Sequence, residues 1–314
     1  EVTTVSYENV TEKNIASAME EAIHAGCNII FTTTPTFAQE SLRAAITHPE
    51  VRILNCSLNT THRYIRTYYT RMHEAKFLMG AIAGEMAEND KIVYIADYPI
   101  LGTIAQINAF ALGAQMTNPR AKVYLEWSTL KEQDIEKRID EIDPNCISGK
   151  DIIVPDDNNH FYGVYHRESG GGEQKNLAMP LCHWGKFYEE LIRTIMAGNW
   201  EQDNDVEKAI NYWWGMPTGV VDVICSKKLP AGTVRLVNVL KHNYKTGQFH
   251  TFTDQMYAQG HILKEKKGET LSPEEVIEMD WLAENIIGRI PKIEELQEQA
   301  KPVLTQQGIE TRKG

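Results

Sequence analysis

The chain has 314 residues, a length that suits two domains of ordinary size. Its 32 basic and 43 acidic residues leave a net charge of −11, which argues against the basic stripe of a nucleic-acid surface and suits a small or cationic partner. Apolar residues make up 42% and charged residues 24%, enough for a sizeable core and outside disordered, collagen-like or coiled-coil composition, and no apolar run approaches the roughly 18 residues of a membrane helix.

Val2–Tyr7 reads as a strand. Thr11 then caps a helix with the apolar stripe Ile15, Met19, Ala22 and Ile23, ended by Gly26. Cys27–Phe31 is a short continuous apolar strand of the kind buried in a parallel sheet. The polar loop Thr32–Thr36 leads into a helix from Phe37 to Thr47, broken at His48-Pro49, and Val51–Cys56 is the next strand. This alternation predicts a parallel α/β sheet.

The pattern repeats. A helix spans His73–Glu88, with Gly80 and Gly84 four apart for close packing against a neighbour. Ile92–Ala96 is a buried-type strand, followed by the loop Asp97-Tyr98-Pro99 and a helix to Met116 that Asn118-Pro119 stops. Ala121–Trp127 reads as a strand, Glu132–Ile142 as a helix, and Asp151–Val154 and Gly163–Arg167 as strands. Ser169–Gly172 is a surface turn, too short for a phosphate loop. A helix runs from Trp184 to Ala197. The last third mixes strands at Gly219–Ile224 and Thr233–Val239 with helices at Pro273–Ile287 and Pro291–Gln306. Ligands of such sheets sit beyond the carboxyl ends of the strands, which singles out Thr32–Phe37, Asp97–Gly102 and Lys150–Asn159.

No nucleophile elbow, zinc-protease motif, dinucleotide fingerprint or P-loop is present. His160 and His166 read as surface or second-layer residues, not as metal ligands. Asp156-Asp157 reads as a solvated turn, because adjacent residues on an extended chain point apart. The aromatics suit binding better. Phe37, Tyr98, Trp184, Phe187-Tyr188 and Trp213-Trp214 stand near loops rich in Asp and Asn, a mixture that fits a flat polar ring; core packing competes as the role of Trp213 and Trp214. The five cysteines are Cys27, Cys56, Cys146, Cys182 and Cys225, with no CxxC pair. Cys27, Cys56 and Cys225 lie in apolar contexts and read as buried thiols, which leans towards a reducing compartment. The start at Glu1 without methionine, and without a signal peptide, fits removal of an N-terminal segment.

Several segments resemble the basic membrane protein (BMP) family of ABC-transporter substrate-binding proteins, which includes purine-nucleoside receptors. They are RMHEAKFLMG (71–80), IVYIADYPILGTIAQINAFALGAQMTNPRAKVYLEW (92–127), NLAMPLCHWGKFYEELIRTIMAGNW (176–200) and WWGMPTGVVDV (213–223). The resemblance implies an α/β, type I periplasmic-binding-protein architecture: two parallel-sheet lobes with the ligand in the cleft between them. It places a first lobe at 1–72, a second at 73–224 and a hinge return with the C-terminal segment at 225–314. Family members usually begin with a further strand–helix unit, so the first lobe here is expected either to lack an edge or central strand or to receive it from a preceding segment or a partner.

Carried over by position, the resemblance implies ligand-binding roles for Thr34, Phe37, Asp97, Tyr98, Asp151, Trp184, Lys186, Gly215 and Asp222, with Gly219 serving turn geometry beside Gly215. Trp184 is expected to stack on one face of a base and Asp151 to accept hydrogen bonds from ribose hydroxyls or a purine amino group. It implies a non-enzymatic purine or nucleoside receptor with no catalytic residue, cofactor or metal, a membrane ABC permease as partner, and an anchored extracytoplasmic location. Two alternatives stand beside it. One is a cytoplasmic ligand-sensing module of a larger regulatory protein, favoured by the scattered thiols and the absent signal peptide. The other is a nucleoside-processing enzyme using Asp151 or Asp156.

Overall fold

A computed structural model describes residues 2–58, 64–149, 162–168, 174–202, 210–253, 255–264 and 268–309. In chain order the elements are α1 (Ile15–His24), β1 (Ile29–Thr32), α2 (Ala38–Thr47), β2 (Arg52–Cys56), β3 (Arg66–Thr70), α3 (Met72–Met86), β4 (Lys91–Ala96), α4 (Thr103–Thr117), β5 (Lys122–Trp127), α5 (Ile135–Ile142), β6 (Cys146–Ser148), β7 (Val164–Arg167), β8 (Gln174–Cys182), α6 (Trp184–Met196) and α7 (Asn199–Gln202). Then come β9 (Tyr212–Trp214), β10 (Val221–Cys225), α8 (Ala231–Lys245), β11 (Met256–Ala258), β12 (Ile262–Lys264), α9 (Pro273–Ile277), β13 (Ile286–Ile287) and α10 (Lys301–Gln307).

The chain forms two units. The first comprises Glu1–Tyr69 and Glu190–Trp213, the second Thr70–Glu189 and Trp214–Gly314. The segment Glu190–Trp213, expected within the second lobe, therefore returns to the first unit, and α6 begins in one unit and ends in the other.

The first unit is built on a four-stranded sheet in the order β1-β2-β3-β9, with β1–β2 and β2–β3 parallel. Its apolar cluster joins Ile15 and Met19 of α1 to Phe37, Ala44, Ala45, Val51, Ile53 and Ile65. The amphipathic spacing of α1 accounts for this, since positions 15, 19 and 22 face inward. Val2–Tyr7, expected as a strand, belongs to no sheet; Val2 and Val5 are 53% and 58% exposed. A β-rich composition makes a strand only where a neighbour supplies ladder hydrogen bonds.

The second unit holds a seven-stranded sheet in the order β10-β8-β7-β6-β4-β5-β13. It is mixed. Pairs β4–β5, β4–β6 and β5–β13 are parallel, whereas β6–β7, β7–β8 and β8–β10 are antiparallel. Helices α3 and α4 are buried nearly all round. They approach through glycines, as the spacing of Gly80 and Gly84 predicts. A Cβ on Gly80 would lie 1.9 Å from the Phe110 carbonyl oxygen, and one on Gly113 2.0 Å from that of Phe77. Asn108, fully buried on α4, donates to the Trp281 carbonyl at 2.7 Å and accepts from the Ala283 N–H at 2.9 Å. Asn285 donates to the Ala111 carbonyl at 2.9 Å. These amides fasten the returning C-terminal segment to α4.

Three C-terminal expectations are corrected. Thr233–Val239 lies in α8, because Thr233, Val237, Leu240 and Tyr244 form one buried helical stripe that overrides the β-branched composition. The helix expected at Pro273–Ile287 stops at Ile277; the chain beyond meets Asn108 and pairs as β13 with β5. The helix expected at Pro291–Gln306 is two short 3-10 turns, Ile293–Glu295 and Glu298–Ala300, before α10. Pro302 occupies the first turn of α10, the place in a helix where its missing N–H costs nothing. Strands β3, β8 and β9 carried no clear signal: β3 is polar and aromatic (RTYYT) and β8 contains Pro180.

Candidate ligand-binding site

In the first unit, β1 and β2 end in a buried polar group. Thr32 Oγ1 lies 3.0 Å from Ser41 Oγ and accepts from Asn55 Nδ2 at 2.8 Å, and the same amide donates to the Thr34 carbonyl at 2.9 Å. Thr34 also caps the turn Pro35–Phe37, its Oγ1 accepting from the Thr36 N–H at 3.4 Å. Phe37 is buried in the core cluster and also borders a cavity in that unit. Neither Asn55, a single polar residue in a mostly apolar strand, nor Ser41, one of several polar residues on α2, carries a periodic signal.

In the second unit, Asp97 closes β4. Its Oδ1 accepts from Ser128 Oγ at 2.5 Å and its carbonyl from Thr129 Oγ1, so it ties the ends of β4 and β5 together. Tyr98 is half-buried against Leu296, Ala300 and Leu304. Asp222 pairs with Lys241 at 2.7 Å and accepts from the Val223 N–H at 2.8 Å. Partial burial works against its ionisation, but these partners prevail and hold the carboxyl below its ordinary value.

A second set surrounds the loop Gly215–Gly219. Trp184 opens α6 and lies nearly parallel to Tyr188, with centroids 6.0 Å apart and planes at 27°. Phe187 touches Trp184 at 5.7 Å and Trp214 at 4.8 Å. Trp184, Tyr188 and Trp214 are half-buried, so their rings remain partly open, while Phe187 is fully buried beneath them. Lys186 is exposed, and its Nζ reaches the loop: a Cβ on Gly219 would lie 2.5 Å from it. Gly219 has φ 71°, a conformation that favours glycine.

Glu74 holds the other end of this loop. It accepts from the Met216 N–H at 2.6 Å and lies 3.4 Å from Arg71, whose own N–H donates to the Trp214 carbonyl at 2.8 Å. A Cβ on Gly215 would lie 2.3 Å from the Glu74 carboxylate. Burial pushes the Glu74 carboxyl up, opposed by Arg71 and the Met216 N–H. Burial, reinforced by Arg71, drives the neighbouring His73 down to about 3. His73 is therefore a neutral core residue, beside Phe252 at 5.5 Å.

The structure thus gathers Trp184, Lys186 and Gly215 into one array, while Thr34, Phe37, Asp97, Tyr98 and Asp222 have partners elsewhere. Glu74 and Arg71 were missed as site-shaping residues, although RMHEA marked their position. Asp151, Asp156, Asp157, His160 and Ser169–Gly172 lie outside the described residues. His166 is half-buried on β7, opposite Cys146. Among the described residues no group of three or more His, Cys, Asp or Glu side chains could hold a metal ion, and no helix is long and apolar enough to cross a membrane. All five cysteines are free. Cys56 and Cys146 are buried, but Cys27 and Cys225 are only half-buried, a correction to the apolar reading of their flanks. Cys225 ends β10, whose burial falls on Val221 and Val223, whereas Cys27 opens a segment in which Ile29, Ile30 and Phe31 are themselves only half-buried, so the strand expected there as buried is partly open. Burial raises the Cys146 thiol to about 12.

Several known proteins are similar to this chain. A purine-binding protein of Brucella abortus (strain 2308) is 25% identical over 303 residues, covering 93% of this chain and 85% of that one. A putative ABC transporter glucose-binding protein, TsgA13, of Haloferax volcanii is 27% identical over 225 residues, covering 68% of this chain and 56% of its own. Among solved structures, a transcriptional activator of the comK gene from Bacillus halodurans superposes with a TM-score of 0.55 at 16% identity, covering 76% of this chain and 86% of that one. An ABC transporter solute-binding protein from Conexibacter woesei gives 0.51 at 11% identity, covering 75% and 82%. The fold is accordingly the α/β type I periplasmic-binding architecture. The family described as Bmp, ABC transporter substrate-binding protein PnrA-like, matches residues 1–172, more than half of the 314, and the chain belongs to that family.

Proposed function

We propose that the protein binds a purine base or nucleoside, without chemical change, as the extracytoplasmic substrate-binding component of an ABC-type uptake system, and hands it to a membrane permease. Family membership supports the receptor role, and the relative named as purine-binding, matched over 93% of this chain, supports the ligand class. The structural observation that carries the reading is the partly open aromatic array of Trp184, Tyr188 and Trp214 beside Lys186. Such rings offer a stacking face for a base, and the lysine offers a donor to its ring nitrogens or carbonyl. In this reading Gly215 lets the loop approach the ligand closely.

A second reading, ligand sensing in a reducing compartment, draws on the five free cysteines. A thermal-shift screen with purine and pyrimidine bases, their nucleosides and glucose tests the ligand class. A ligand at 100 times its Kd stabilises the folded state by about 2.7 kcal/mol. A shift with purines alone is expected, with the ligand recovered unchanged after denaturation. A shift with glucose alone would overturn the purine reading, and release of free base from a nucleoside would overturn the non-enzymatic one. Surface labelling of whole cells separates the uptake role from the sensing role.

A further inference from the structure

The loop Gly215–Gly219 is fastened at its start by the first turn of α3, and all the residues concerned belong to the second unit. The Arg71 N–H donates to the Trp214 carbonyl at 2.8 Å and the Met216 N–H donates to the Glu74 carboxylate at 2.6 Å, so the backbone is fixed on both sides of Gly215. Gly215 has φ −141°, outside the left-handed region that calls for glycine. What excludes a side chain there is Glu74: a Cβ would lie 2.3 Å from one carboxylate oxygen and 2.8 Å from the other. The rest of the loop folds back onto this joint. Thr218 Oγ1 and the Val220 N–H both donate to the Gly215 carbonyl, at 2.9 and 3.2 Å, and the Gly219 N–H donates to the Met216 carbonyl at 2.9 Å. Glu74 is only 4% exposed, and Met216 is fully buried. Burying a carboxylate is costly, and an apolar side chain of the same size would cover that face of α3 without the cost. What the carboxylate adds is an acceptor for a buried backbone N–H.

We propose that Glu74 is the positioning residue of the aromatic array: without touching the ligand, its carboxylate fixes the backbone around Gly215 and so sets the ring of Trp214 for stacking. The proposal rests on the reading of that array as the binding site. Trp214 is the ring next to the joint, and it meets Phe187 at 4.8 Å. Phe187 in turn supports Trp184 at 5.7 Å and Tyr188 at 6.4 Å. A loop that slips at Gly215 therefore moves Trp214 first and alters the stacking face through Phe187. Arg71 serves the same joint twice, through its N–H and through its guanidinium, 3.4 Å from the Glu74 carboxylate. The buried Glu74 oxygens face Met216, Gly215 and Arg71, which leaves none to meet a ligand on the open side of the rings. A site held ready in this way spares the ligand the ordering of the loop on binding.

The test compares Glu74→Gln, which keeps the size and one acceptor oxygen, with Glu74→Met, which keeps the size and loses the acceptor. Gly215→Ala approaches the same joint from the loop and serves alone if Glu74→Met does not fold. The ligand-free readout is fluorine NMR of protein labelled with 5-fluorotryptophan, the Trp214 resonance being assigned with Trp214→Phe. Glu74→Met and Gly215→Ala should shift or broaden that resonance, and Glu74→Gln should leave it close to its place. The second readout is titration calorimetry with adenine and inosine. Affinity should fall about tenfold or more in Glu74→Met and about threefold or less in Glu74→Gln. The double variant Glu74→Met/Gly215→Ala should bind no worse than the weaker single one, because both disturb one contact. A Trp214 resonance unmoved by Glu74→Met and by Gly215→Ala overturns the proposal. So do equal affinity losses in the Gln and Met variants, or additive losses in the double variant. If neither purine binds the wild-type chain, the purine reading falls, and the ligand-free resonance still decides the role of Glu74.

Discussion

The sheets of the two units end differently. In the first, the sheet stops at β1, a strand with half-buried residues beside a cavity. In the second, the far edge is the two-residue β13, and the centre of the unit is the tightly apposed pair α3 and α4. A very short edge strand limits unwanted pairing, while a longer open edge invites it. The same chain therefore holds one unit whose interior tolerates almost no added volume and one with space beside its sheet.

Substitutions can sharpen this contrast. Gly80→Ala places a methyl against a backbone carbonyl at 1.9 Å and is expected to cost about 3 kcal/mol or more in chemical denaturation, whereas filling the first unit's cavity with Ala18→Val should be neutral or stabilising. Equal losses at the two positions would break the comparison. Asn108→Ala orphans the Trp281 carbonyl and the Ala283 N–H, at about 1–3 kcal/mol for each buried group, and hydrogen exchange should locate the loosening at 281–286.

Acid should act on the second unit first. His73 titrates near 3 in the folded chain against 6.5 unfolded, so the unfolded state binds more protons between those values. Stability contributed by His73 is present above the unfolded value and is lost as pH falls below it, by about 3 kcal/mol at pH 4. His73→Gln should flatten that portion of a stability–pH curve. The smallest structural effect belongs to Trp184→Ala. It should leave Tm within a few degrees while weakening purine binding by about 1–3 kcal/mol, by analogy with base stacking in nucleic-acid binders. Unchanged affinity in titration calorimetry removes Trp184 from the site.

Much of the fold is legible in local pattern. The strand Ile92–Ala96 is a continuous apolar run and Val51–Cys56 a largely apolar one, the helices between them have clear stops, and Gly80 and Gly84 announce a close contact that needs no partner's sequence to foresee. The misreadings share a cause. Val2–Tyr7 and Thr233–Val239 are both β-branched, but whether such a segment becomes a strand depends on a neighbour, and in Thr233–Val239 a helical stripe takes precedence. The candidate site was half legible. Aromatics before a helix drew notice to Trp184, whereas Glu74 acts through a hydrogen bond to Met216, 142 positions away, which no local window contains.

The contact between α3 and α4 also shapes how this chain can change over generations. At Gly80, Gly84 and Gly113 any replacement adds a carbon where a carbonyl oxygen already stands. Every amino-acid-changing mutation of those codons therefore meets the same obstacle, whatever side chain it brings. A saturation library selected for folding should show three columns emptied of all but one residue, set among alanines such as Ala81 and Ala111 where serine is admitted more readily.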